Sequence, residues 1–204
     1  MQEQEKLKEL QEKLKDYHNK LITALNGNEP SYHFNSDREH NAIIMRVMLD
    51  NSSTLNMYCG EMSVFREMFY EHITKDNDDI KEYAEGIKTD LKNSFKEFIQ
   101  KEDVSMNIIF ETFKDDYLED IIFDEDFKRG VSDKKINLYK LSDDFEYKED
   151  IKHFTYTNCI VRFEQDKLRH SAICAINEQQ AYYESIDKNF SLLKKMAIPI
   201  IVNA

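Results

Sequence analysis

Three short apolar runs, Thr54–Cys59 (TLNMYC), 104–110 (VSMNIIF) and Ile136–Leu141 (INLYKL), alternate with stretches whose apolar residues recur every three or four positions. Runs of this length suit buried strands, and the stretches between them have the spacing of amphipathic helices. Strands joined by crossover helices pair in parallel, because a helix returns the chain to the same end of the sheet. Further along, 153–157 (HFTYT), 159–164 (CIVRFE) and 171–177 (SAICAIN) also read as strands, with 165–169 as a hairpin turn between the last two. A hairpin gives antiparallel neighbours. The expected fold class is therefore α/β, with a mixed β-sheet covered by helices.

The helices are placed by their apolar stripes. Ser36 with Glu39 makes a capping box for a helix over 36–50 that carries Ile43, Ile44, Val47 and Met48 on one face. Val64, Phe65, Met68, Phe69 and Ile73 give a second helix, ended by a polar turn at 74–79. A longer one follows with Ile80, Tyr83, Ile87, Leu91, Phe95 and Phe98 on its stripe. The acidic stretch 115–126 reads as a helix or an irregular cover. A last helix over 178–196 presents Tyr182, Ile186, Phe190 and Leu193, and Pro199 stops the chain from continuing it.

At the N-terminus Leu7, Leu10, Leu14, Tyr17 and Leu21 follow heptad steps, ended by Asn26-Gly27-Asn28 and Pro30. Such a helix either packs on its own domain or pairs with the same helix of a second copy, and the spacing permits both. The division expected is 1–50 for N-terminal helices, with a short coiled coil as one option, and 51–204 for the α/β domain.

Composition removes several function classes. With 4 Gly in 204 residues, and neither GxGxxG nor GxxxxGK[ST], the chain lacks the usual loop for cradling phosphates. Forty acidic against 28 basic residues give −12, a balance that disfavours binding a nucleic-acid backbone through the whole-molecule field. Lys134-Lys135, Lys167 to Arg169 and Lys194-Lys195 are the basic clusters that run against this balance. Cys59, Cys159 and Cys174 are widely spaced and form no CxxC pair, as expected of reduced, buried thiols in a cytoplasmic protein. The opening MQEQEKLKEL is too polar for a signal peptide, and no apolar stretch is long enough for a membrane span. No cofactor motif is present.

From Thr54 onward the layout resembles one half of a phospholipase D-like domain of the HKD superfamily. The segment TLNMYCGEMSVF is similar to the first strand, small residue and helix of such domains. KHFTYTNCIVRFEQDKLRHSAICAIN resembles the family's His-x-Lys strand, Asp, Gly-Ser strand and following Asn. The resemblance places His153 as the nucleophile and Asn177 as the Asn near the end of the following strand. Thr155 stands where the family has Lys, Ile160 where it has Asp, and Cys174-Ala175 where it has Gly-Ser. The family's His attacks phosphorus while the Lys stabilises charge growing on the phosphoryl oxygens, and a neutral Thr cannot supply that charge.

Two functions follow. The first is a non-catalytic interaction or accessory protein, a homodimer or part of a larger complex, of the kind the resemblance implies for bacterial defence or mobile-element systems. The alternative is a divergent phosphodiesterase or nuclease using His153, with the positive charge supplied by Arg162, Lys152 or a second subunit. Arg162 and Glu164 share one face of their strand and could line a pocket with His153 or form an ion pair. Three lesser candidates complete the reading. His33, Asp37 and His40 are close enough in sequence to hold a metal, although no fourth ligand is near and none is expected. Cys59 lies at a strand-to-helix turn, where a thiol can become reactive. The stretch Cys59 to Ser63 is also a place for a small anionic or nucleotide ligand, because α/β folds bind ligands at strand ends.

Overall fold

The computed structural model describes residues 2–27, 29–35, 38–74, 81–166 and 171–202. Ser36, Asp37, the turn after residue 74, Ile80 and residues 167–170 therefore lie outside the described residues. In chain order the elements are α1 (Gln2–Asn26), β1 (Ser31–Asn35), α2 (Arg38–Asp50), β2 (Thr54–Cys59), α3 (Glu67–Thr74) and α4 (Lys81–Gln100). They continue with β3 (Ser105–Phe110), α5 (Asp124–Ser132), β4 (Ile136–Leu141), β5 (Phe154–Tyr156), β6 (Ile160–Asp166), β7 (Ser171–Ile176), α6 (Gln180–Lys195) and β8 (Ala197–Pro199).

The described strands form one mixed sheet in the order β1-β7-β6-β5-β2-β3-β4-β8. β2, β3 and β4 are parallel, as their crossover helices require, and every other pairing is antiparallel. Helices α1 to α5 cover one face, and α6 covers the other. The first layer is sealed by Phe95 stacked on Phe123 at 3.6 Å, with Phe65 and Phe127 around them. Arg66 holds the cover segment in place. Its Nε donates to Asp120 at 2.5 Å, and its guanidinium lies 5.4 Å from the centre of the Tyr117 ring.

α1 spends its heptad face inside the domain. Leu14, Tyr17 and Leu21 are buried in the same apolar cluster as α2, β2 and β3. Sequence patterning missed three elements. β1 alternates exposed aromatics with smaller polar residues and has too few apolar positions to stand out. α5 was hidden by its acidic first turn, Asp124, Glu125 and Asp126, which suits a helix N-terminus electrostatically. β8 is an edge strand in what reads as an apolar tail, and Pro199 is tolerated there because an edge leaves an N–H position unpaired.

On the α6 face a polar row crosses the parallel strands. Asn56, Asn107 and Asn137 stand at matched register positions. Asn107 Nδ2 donates to Asn56 at 2.9 Å, Asn137 Nδ2 reaches Asn107 at 3.4 Å, and Lys194 Nζ donates to Asn107 at 3.0 Å. A slip of one residue would turn these amides into the apolar layer, so the row favours one register. Replacing Asn107 by Leu leaves the buried Asn56 oxygen without its donor. We expect a loss of about 1–3 kcal/mol in urea unfolding, with the fold retained by circular dichroism.

Candidate functional site

The carboxyl ends of β2 and β3 and the start of β5 meet at one place, because β5 runs antiparallel to β2 and begins where β2 ends. Gly60 follows β2, Glu111 follows β3, and His153 immediately precedes β5. Glu111 N–H donates to Cys59 O at 2.8 Å, which extends the β2–β3 pairing by one step and fixes the glutamate. Across β5 and β6, Glu164 N–H donates to His153 O at 2.9 Å, so Glu164 stands beside His153. The same register sets Arg162 opposite Thr155.

His153 is held at both ring nitrogens. Nδ1 lies 2.8 Å from Glu164 Oε2, and Nε2 lies 2.6 Å from Glu111 Oε2. His153 and Glu111 are about one-sixth exposed and Glu164 less, at 16%, 15% and 9% of the side chain. Tyr58 packs its ring edge-on against the imidazole at 5.5 Å, and its hydroxyl donates to Lys148 O at 3.0 Å. Burial, with Glu111 nearby, raises the Tyr58 phenol above its ordinary range. Gly60 gives the imidazole room, since a Cβ there would lie 3.2 Å from His153 Cε1, closer than ordinary contact.

Arg162 is buried beside this pair. Its Nε donates to Asn41 Oδ1 at 2.8 Å, and Asn35 Nδ2 donates to the same oxygen at 2.7 Å. Its terminal nitrogen lies 3.8 Å from Glu164. Burial pulls the guanidinium below its ordinary range, Glu164 pulls it back, and an arginine keeps its charge in such a setting. His153, Thr155, Arg162 and Glu164 line a cavity of about 450 Å³, with Arg38 and the 59–64 turn on its other walls. A concave site thus exists at the strand end where a ligand was expected. Met45, Met57, Met62 and Phe69 make part of it apolar.

The structure therefore brings His153, Arg162 and Glu164 together and leaves Asn177 apart. Asn177 does not line the cavity. Its amide instead donates to Ala24 O at 2.6 Å and Gly27 O at 2.7 Å, holding the end of α1, and its φ of 54° is one that Asn tolerates better than most residues. Glu111 was missed by motif reading. The signal available was its position, the first charged residue after an apolar parallel strand. Arg38 and Asn41 gave no comparable signal, because they reach the site only through the packing of α2.

The lesser candidates fare differently. Among the described residues no group of three His, Cys, Asp or Glu side chains is arranged to hold a metal. His33 lies in β1 with its ring 2.8 Å from Ser31 Oγ, His40 packs on Tyr17 at 4.2 Å, and Asp37 lies outside the described residues. Lys135 donates to Ile99 O and Lys101 O, so with Lys194 two of the clustered lysines serve the fold. No described helix is long and apolar enough to cross a membrane.

Comparison with protein-family models and with curated proteins finds no match. Solved structures do match. TrmBL2, an archaeal chromatin protein described with a novel mode of DNA binding, aligns with TM-score 0.54 and 12% identity over 97% of this chain and 66% of its own. Nuc from Salmonella typhimurium, a phospholipase D family member, aligns with TM-score 0.50 and 12% identity over 85% of this chain and 100% of its own. NucT from Helicobacter pylori aligns at TM-score 0.44 and 8% identity, over 84% and 99%. The chain has a phospholipase D-like fold. It spans just under two thirds of the length of TrmBL2.

Cys59 tests the reactive-thiol expectation. Burial pushes its thiol up to about 12 from an ordinary 9.0, against a lowering hydrogen bond from the Met62 backbone. The thiolate is the reacting form, so alkylation of the folded chain should stay slow and flat up to pH ~9, while the unfolded chain accelerates. Mass-resolved iodoacetamide labelling measures this, and fast labelling of Cys59 at neutral pH would contradict the burial argument.

Proposed function

We propose that this chain is a non-catalytic interaction or accessory protein on a phospholipase D-like scaffold. The observation that supports this reading is the double clamp on His153. A nucleophilic imidazole needs a lone pair on the attacking nitrogen. Here each ring nitrogen lies within hydrogen-bond distance of a carboxylate oxygen, Nδ1 of Glu164 and Nε2 of Glu111, so both are already engaged. So held, His153 acts as a strut between β3, β5 and β6. The absence of the family's Lys and Asp at Thr155 and Ile160 points the same way.

Removing the strut leaves two partly buried carboxylates facing a void. His153→Ala should therefore lower stability by about 1–3 kcal/mol, seen as a fall in Tm, since two buried carboxylates lose their hydrogen-bond partner. The wild-type chain should hydrolyse neither bis(p-nitrophenyl) phosphate nor single-stranded DNA above the buffer rate.

A second reading, a divergent phosphodiesterase or nuclease, has one observation in its favour. Arg162 stands directly opposite Thr155 in the His153 cavity, so a cation is near where the family's Lys would act. Hydrolysis that is lost in both His153→Ala and Arg162→Met, with both variants folded, would establish this reading and displace the first.

Partner chemistry follows from charge. The net charge of −12, and the lysines engaged in the fold, favour a protein partner or a second copy over nucleic acid. TrmBL2 is described as DNA-binding, which makes the question worth a direct test. At low salt, a fluorescent duplex should show no anisotropy change at about 10 µM protein, where nonspecific DNA binders are already partly bound. A rise that collapses on adding salt would assign DNA to this chain.

A further inference from the structure

One edge of the sheet is left open in an unusual way. Among the described residues, β1 pairs with β7 on one side and has no strand on the other. Edge strands are commonly guarded by charge, proline, a bulge or a covering element. β1, Ser-Tyr-His-Phe-Asn, has no charged residue and no proline, and its register with β7 is unbroken. Tyr32 and Phe34 are 60% and 73% exposed on the same face of the strand. The opposite edge differs. β8 has three residues, and Pro199 removes an edge donor there.

The strand is also close to a palindrome. About a two-fold axis at His33, antiparallel pairing places Tyr32 opposite Phe34 of the partner subunit and Ser31 opposite Asn35 of the partner subunit. Both aromatic pairs then fall on the same face and form one cluster of four rings, the cross-strand arrangement that stabilises sheets. In a chain of net charge −12, β1 itself carries no charged side chain, and the carboxylate beside it, Glu178, accepts from the Tyr32 hydroxyl, so a second copy meets little local repulsion there. A β1 edge cannot be matched equally by the proline-bearing β8 edge. The contact is therefore isologous and closes as a dimer instead of growing into a filament.

We propose that β1 is the self-association edge of this protein, joining two copies through antiparallel β1–β1 pairing into one continuous sheet. The occupant is a second copy of this chain, and the proposal holds whichever reading of His153 is right. Five paired residues form a small interface, so dissociation in the micromolar range is expected.

Two measurements test it on the full chain. Light scattering coupled to size exclusion, across a concentration series, should show a monomer–dimer equilibrium that Phe34→Lys shifts to monomer at least tenfold. Phe34 is too exposed for that change to unfold the chain. In His33→Cys the two introduced thiols face each other across the axis. Opposed Cα atoms in an antiparallel pair lie ~4.5–5.5 Å apart, within disulfide reach. Mild oxidation should therefore give a covalent dimer, whereas the wild type and Ile198→Cys, on the β8 edge, should not. A chain that stays monomeric throughout and gives no His33→Cys crosslink overturns the proposal. So does a dimer that is indifferent to Phe34→Lys and uncrosslinked at position 33, which would move the interface elsewhere, for instance to α1.

Discussion

Asn56, Asn107 and Asn137 run across the three parallel strands, and the level of everything at the strand ends depends on the register they hold. Parallel strands buried on both faces have little else to set their alignment, because apolar side chains on either side pack almost as well after a slip. Amides that must find one another do not tolerate one. With that register in place, Gly60 and Glu111 leave the sheet side by side, and β5 can start with His153 between them. The site is thus a consequence of sheet alignment more than of local sequence.

At the site itself, acidic and basic groups alternate: Glu111, His153, Glu164, Arg162, and then the neutral Asn41. Thr155 is buried, with Arg162 paired across from it. The cavity lies beside an imidazole whose two ring nitrogens each face a carboxylate oxygen.

How much of this could be read in advance varied by element. β2 and β4 were legible to the residue because their apolar runs are short, dense and bounded by polar turns. β1 was not, since an edge strand needs no apolar alternation when one face is open to water. His153, Arg162 and Glu164 were legible as a strand-spaced group near a family-like motif. Asn177 was drawn to the same group by the motif, yet its amide serves the carbonyls at the end of α1, about 150 residues away in sequence. A motif specifies spacing along the chain and says nothing of which way a residue past a strand end will turn.

What the sequence by itself determined is the class of fold: strand-length apolar runs linked by amphipathic helices can bury their surface only as a covered, mixed sheet. It also determined the chain's acidity and its lack of a glycine-rich phosphate loop. Only the tertiary structure decided that Glu111 and Glu164 close on His153 from two different strands, and that α1 lies in the core of its own domain. The reason is one of range. Propensity and periodicity act over a few residues, whereas a hydrogen bond between residues 111 and 153 exists only after three strands have found their register.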